Sequence, residues 1–289
     1  MNYAKSSWKF TKEEKEKIVK LWLNGGSTIS IAKKFGCNDE AIRLIVRYRI
    51  PKEKYNQTVR EHMKKFEEKR KIKPIKNPKM SQDLAWWVGV VKGDGHVNFG
   101  NNFVRLAVKD KCLRDRWSFI GYKLFNIKPT FRITLYGLYQ AQFSSKLLVN
   151  FLEKNFGYFG HYVWDIPNSI KNSSDDIKLG FIRGLFDAEG CVKNPTHCEL
   201  TFASVNHKAV ESLKIMLQEI GIFSKIRIEK RKETGRVYTV LRICGYQDMI
   251  KFTKNINFTI ERKSLRLSDY INYISQKGYY DTSRIFGRP

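Results

Sequence analysis

Apolar and polar positions alternate with three different rhythms along the chain. In the first stretch, residues 1–50, "FTKEEKEKIVKLWLNGG" lines up Ile18, Val19, Leu21, Trp22 and Leu23 as an apolar stripe behind Thr11, an N-cap candidate followed by acids, and Gly25-Gly26 ends the pattern. "STISIAKKFGCNDEAIRLIVRYRI" predicts two more helices, one with Ile31, Ala32 and Phe35 inward, then a turn at Gly36, then one capped by Asn38 with Ala41, Ile42 and Ile45 inward. Residues 51–80 are polar and basic and read as a linker, helical in part between Pro51 and Pro74. From residue 81 the period switches between about 3.6 and about 2 in an order that occurs twice, αββαββα over 81–175 and again over 176–289, the second copy ending in a C-terminal tail. The fold class expected is α+β, a pseudo-twofold αββαββα repeat preceded by a small all-α helix-turn-helix domain.

Both halves open on nearly the same phrase. "WVGVVKGDG" (87–95) and "IRGLFDAEG" (182–190) place Gly89 and Gly93, and likewise Gly184 and Ala188, four residues apart on one helix face. With almost no side chain there, two helix backbones can approach closely. Other landmarks keep step: Asp110 with Asn206, "FNIKPTFRI" with "IGIFSKIRI", and Phe151 with Phe252. The repetition predicts two halves related as in a homodimer, with the motif helices packed together and their C-terminal ends adjoining. Gly95 and Gly190 are expected in the left-handed conformation that ends a helix. Asp94 and Glu189 then meet at the negative ends of two helix dipoles, where paired carboxylates repel. A hard divalent cation offsets that repulsion: Mg²⁺, with Mn²⁺ able to substitute.

Charge narrows the partner. Lys and Arg number 54 against 28 Asp and Glu, a formal net charge of +26, and call for a polyanion. The basic residues are spread along the chain and not gathered on one amphipathic face, and the most apolar stretch, 84–91, is too short to cross a bilayer, so no membrane role is expected. Five cysteines without a CxxC pair, and a start, "MNYAKSSWKF", without an apolar leader core, predict an intracellular protein of cytoplasm, nucleoid or organelle with reduced thiols. His197 with Cys191 and Cys198 lacks a fourth ligand at suitable spacing and is assigned no zinc. Paired carboxylates, a divalent ion and a strongly basic chain together point to phosphodiester hydrolysis.

The two phrases, with "DIPNSI" ahead of the second, "LQEIGIFSKIRI" after it and "SSKLLVNFL" closing the first half, resemble the double signature of LAGLIDADG homing endonucleases, the dodecapeptide type found free-standing and within inteins. The similarity spans roughly residues 83 to 270. It implies a monomer whose two antiparallel sheets straddle double-stranded DNA at a long asymmetric site, and which cuts one phosphodiester per strand to leave 3′ overhangs. It assigns Asp94 and Glu189 as catalytic metal-binding acids, with Gly93 and Ala188 beside them in the metal set. Lys146 matches the basic residue the family places near the scissile phosphate, and Gln247 stands in its counterpart. Lys92 departs from the acid often found two places before the metal ligand, a place where Asp187 keeps one. Asp110 and Asn206 match polar residues that order water around the metal, with capping of the next helix as the alternative; Gln247 and Lys193 are further candidates near the site.

Candidate DNA contacts are Arg43 and Arg47 on the third helix, and Arg105, Arg132, Gln140, Gln142, Lys225, Arg227, Lys230, Arg236 and Arg242 on the hairpins. A strand register wrong by one residue reverses every hairpin assignment. The hairpins read as short for such a protein, and the helix-turn-helix with its basic linker would grip flanking DNA in compensation. Two other functions remain open: an RNA maturase whose second partner is the intron RNA of its host, and a DNA-binding regulator on a decayed nuclease. The retained acids and motif glycines favour the endonuclease, and the lack of splice-junction signatures favours a free-standing chain.

Overall fold

The computed structural model describes residues 10–69, 74–160, 162–193, 199–230 and 235–276, and side chains throughout these except in 63–69. His197 and Cys198 lie outside them. The chain divides into two compact units, Met1–Lys73 and Pro74–Pro289.

The first unit is all helical: α1 (Lys12–Leu23), α2 (Thr28–Phe35), α3 (Asp39–Arg49) and α4 (Lys52–Lys69). Its starts are set by side-chain caps. The Thr11 hydroxyl accepts from the Glu14 amide at 3.2 Å while the Glu14 carboxylate accepts from the Thr11 amide at 2.9 Å, and Asn38 accepts from the Ala41 amide at 2.8 Å. Gly36 turns the chain between α2 and α3 at φ +66°. Ile18, Trp22, Ile31, Ile42 and Val46 form the core, and Tyr55 of α4 stacks on Trp22 at 5.3 Å. The segment read as a partly helical linker is, over most of its length, a helix anchored to this core.

The second unit repeats one order of elements. The first half runs α5 (Gln82–Asp94), β1 (Gly95–Asn98), β2 (Phe103–Val108), α6 (Lys111–Phe125), β3 (Thr130–Ile133), β4 (Tyr139–Ser144) and α7 (Lys146–Phe156). After a short α8 (Asn168–Lys171), the second runs α9 (Asp175–Glu189), β5 (Gly190–Val192), β6 (Leu200–Ser204), α10 (His207–Glu219), β7 (Lys225–Lys230), β8 (Val237–Ile243) and α11 (Tyr246–Asn255). A final helix, α12 (Glu261–Gln276), follows and has no counterpart in the sequence reading. Each half folds into a four-stranded antiparallel sheet, ordered β1-β2-β4-β3 and β5-β6-β8-β7. The fold is α+β with an internal repeat. One core joins both halves, with Trp87, Trp117, Phe143, Phe181, Phe186 and Phe202 fully buried.

The motif glycines explain how α5 and α9 meet. A methyl group on Gly89 would stand 3.1 Å from the Gly184 Cα and overlap the Phe181 carbonyl oxygen; one on Gly184 would stand 2.9 Å from the Val90 nitrogen and overlap the Trp86 carbonyl oxygen. Backbone touches backbone along this seam. Gly95 and Gly190 correct the sequence reading. They are extended, at φ −80° and −68°, not left-handed. Glycine is required there because a Cβ would lie 2.5 Å from the Val91 Cα at Gly95 and 2.9 Å from the Phe186 Cα at Gly190. Each helix therefore passes into its strand with no intervening loop.

Candidate active site

Asp94 ends α5 and Glu189 ends α9, and both are exposed. Their helix ends adjoin: a methyl group on Gly93 would stand 2.5 Å from the Ala188 Cβ and 3.5 Å from the Glu189 Cγ. A cleft of about 270 Å³ opens beside Glu189, lined by Lys92, Gly93, Ser204, Arg236 and Tyr238 among others; Asp94 is not one of its lining residues. The donor set suits a hard cation that keeps several waters: two carboxylates, with backbone carbonyls at the negative ends of two helices. No cluster of three or more His, Cys, Asp or Glu occurs among the described residues.

Behind the acids lie two buried charges of opposite sign, Lys92 and Asp187. In the first half Lys92, 5% exposed, donates to the carbonyls of Phe156 at 3.0 Å and Tyr158 at 2.6 Å and sits 4.0 Å above the Phe159 ring. Burial pulls its pKa down to about 7, against the pull of Asp165 in the other direction. In the second half Asp187, fully buried, accepts from the Trp86 indole at 2.7 Å, the Thr259 amide at 2.8 Å and the Thr259 hydroxyl at 2.6 Å. Burial raises its pKa, while these hydrogen bonds and Lys263 oppose the rise. At matching positions one half thus has a lysine facing an aspartate, and the other an aspartate facing a lysine. Both ties join a motif helix to the chain that follows the last helix of its own repeat.

Lys263 and its neighbour Arg262, on α12, were missed by sequence reasoning. The Lys263 ammonium donates to the carbonyls of Phe186 at 3.2 Å, Asp187 at 2.7 Å and Ala188 at 3.2 Å, the end of α9. Arg262 reaches into the first half and pairs with Asp110 at 3.0 Å. A detectable signal existed: Leu267, Tyr270 and Ile274 are spaced for one face of a helix, and all three are buried.

The polar candidates divide by environment. Asp110 stands at the N-cap of α6 but makes no side-chain cap; its carboxylate is held by Arg262. Asn206, 4% exposed, accepts from the Ala209 amide at 3.3 Å and donates to the Trp164 carbonyl. The Asn206 amide thus caps α10 and ties it to the Trp164 carbonyl. Lys193 pairs with buried Glu199 at 3.0 Å, and Arg242 pairs with the same carboxylate. Lys146 and Gln247 begin α7 and α11, exposed, and neither is among the residues lining the cleft.

The register settles the strand faces. Arg105 pairs with Gln142, and Gln140 with Arg132, while the alternate residues Val104, Leu106, Ala141 and Phe143 enter the core. All four candidates therefore share the face opposite the core, although Gln140 is itself covered, at 4% exposed. In the second sheet Lys225 pairs with Arg242, and Arg227 with Val240, again opposite Phe202, Leu241 and Ile243. Lys230 is exposed and shares the other face of β7 with Ile226 and Ile228, away from Lys225 and Arg227. Arg236 precedes β8 and lines the acid cleft. On α3, Arg47 is exposed, while Arg43, also exposed, pairs with Asp39 at 2.7 Å and Glu40 at 3.6 Å.

Residues 176–257 match the family model described as a LAGLIDADG-like domain. The chain is 29% identical over 194 residues to the replication factor C small subunit of Methanocaldococcus jannaschii, a match covering 66% of this chain and 10% of that protein. It is 24% identical over 203 residues to the glutamine–fructose-6-phosphate aminotransferase of the same organism, covering 69% and 18%. To the replicative DNA helicase DnaB of Rhodothermus marinus it is 19% identical over 222 residues, covering 71% and 23%. The matched region is thus under a quarter of each of these relatives. Among solved structures, a mesophilic variant of the homing endonuclease I-DmoI is 21% identical with a TM-score of 0.48, covering 66% of this chain and 98% of that one. I-DmoI in complex with DNA and Mn is 24% identical with a TM-score of 0.44, covering 62% and 97%. Full-length WhiA from Thermatoga maritima is 15% identical with a TM-score of 0.48, covering 72% and 66%. No described helix is long and apolar enough to cross a membrane.

Proposed function

Taking the chain as a member of the LAGLIDADG family, we propose that it is a site-specific, divalent-metal-dependent endonuclease that cuts both strands of double-stranded DNA and leaves 3′ overhangs. One observation carries the reading: two exposed carboxylates, one from each half, at the adjoining ends of helices packed backbone to backbone. Each carboxylate passes directly into the edge strand of a sheet whose outer face carries Arg and Lys. The relatives add support. Replication factor C, an aminotransferase and a helicase differ in their names and activities, yet each shares about 200 residues with this chain. A segment common to unrelated hosts is a module with its own activity, as a mobile DNA-cutting element would be.

In this reading Asp94 and Glu189 hold Mg²⁺, or Mn²⁺ in its place, with the carbonyl ends of α5 and α9 beside them. When bound, the ion polarises the phosphodiester and neutralises charge that develops as the bond breaks. Arg105, Arg132 and Gln142 on one sheet, and Lys225, Arg227 and Arg242 on the other, grip phosphates or read base edges. Arg236 lines the cleft together with the buried Lys92, and in this reading Arg236 would meet a phosphate there. Asp94→Asn and Glu189→Gln should each reduce cleavage of the cognate site by at least a thousandfold, with DNA affinity in Ca²⁺ changed less than threefold. A plasmid carrying the interrupted locus without its insert is the substrate to use. Full cleavage by either variant overturns the assignment.

A further inference from the structure

Helix ends normally leave their last carbonyls to water, glycine caps or a surface lysine. α9 ends otherwise. The Lys263 ammonium donates to three successive carbonyls of this one helix end, and the residue is 9% exposed. Its position is fixed from both sides: Leu267, Tyr270 and Ile274 of α12 are buried, and the Phe258 ring lies 5.5 Å from the ammonium. The last carbonyl it holds, that of Ala188, belongs to the residue before Glu189. Burial lowers the pKa of the ammonium, and Asp187, Asp94 and Asp110, all within electrostatic reach, oppose that shift and favour the charged form.

Burying an ammonium is costly, and capping alone does not demand it. The buried lysine of the other half, Lys92, donates instead to the carbonyls of Phe156 and Tyr158. We propose that Lys263 is a built-in counter-charge for the acid pair, a positioning residue that holds the end of α9 beside Asp94 in the absence of metal and weakens the site's affinity for a divalent cation. This rests on the metal-centre reading above. Two opposing effects follow from removing the charge: the helix end loses an anchor, and an incoming cation loses a repulsive neighbour. At an effective dielectric of about 20, repulsion between an ammonium and a divalent ion a few ångströms apart is the larger influence on cation affinity.

The test is a Ca²⁺ titration of the full chain read by thermal melting, which involves no turnover. Lys263→Gln removes the charge and keeps amide donors for the carbonyls. It should melt lower than wild type without metal, reach half-maximal stabilisation at about tenfold less Ca²⁺, and gain more in melting temperature at saturation. Lys263→Arg should restore the wild-type midpoint within about twofold. A Lys263→Gln variant that folds only with Ca²⁺ also supports the proposal. An unchanged or weaker midpoint, with the same loss of melting temperature at every Ca²⁺ concentration, overturns it and leaves Lys263 a structural cap, as does a variant that fails to fold with or without the ion. Wild type showing no Ca²⁺-dependent stabilisation overturns the metal centre itself, an outcome separate from failure of the lysine's role.

Discussion

Asp94 and Glu189 stand out in the sequence because each ends a motif, but the side chains that support them do not. Lys92, Asp187 and Lys263 read as one charge among many in a chain with 54 Lys and Arg, since burial is a property of the fold and not of residue type. Their burial has a measurable consequence. The Lys92 ammonium has a pKa of about 7 when folded against 10.5 ordinarily. Between these values the unfolded chain binds the proton and the folded chain releases it, so this group makes stability rise with pH across the window and contributes nothing to the slope below it. Urea unfolding at pH 7, 8 and 9 should therefore show a slope of up to about 1.4 kcal/mol per pH unit from this residue. Lys92→Met should flatten the rise; an equal slope in the variant would mean that Lys92 keeps its proton on folding.

Among elements, the α5–α9 seam was the most legible, because close backbone contact needs small residues at a spacing that survives in sequence as Gly89, Gly93, Gly184 and Ala188. The αββαββα order was legible for a similar reason: the apolar period changes whenever helix gives way to strand. The conformation of Gly95 and Gly190 was not. Glycine marks both a left-handed cap and a place where a Cβ has no room, and only the fold separates these causes. α12 was overlooked because it falls outside the repeat, with its apolar positions diluted among Arg, Lys, Ser and Asp. Hairpin faces depended on register, and Lys230, at the end of β7, falls on the face opposite Lys225 and Arg227. The seam itself can be tested. Gly184→Ala places a methyl group against the backbone of α5, where no side chain can rotate away. It should cost about 3 kcal/mol in chemical denaturation, the upper end of overpacking effects; a loss below about 0.5 kcal/mol would mean that the helices slide apart at little cost.

At the scale of the whole molecule, two units with separate cores divide the chain, and the larger contains both acids and both sheets. Removal of residues 1–73 should leave a folded protein that still cuts. If the first unit contacts DNA, the truncated protein should bind more weakly, protect a shorter stretch on one side of the cleavage site, and show a shallower dependence of log affinity on log salt. Identical footprints for the two proteins would rule out that contact. Within the larger unit α5 passes directly into β1 and α9 into β5, with no loop between. Under the proposed function that continuity would couple recognition to chemistry: a sheet tilted by an ill-matched duplex would carry its acid out of alignment. Discrimination between sequences would then be exerted on turnover as well as on affinity, and a near-cognate site would be held without being cut.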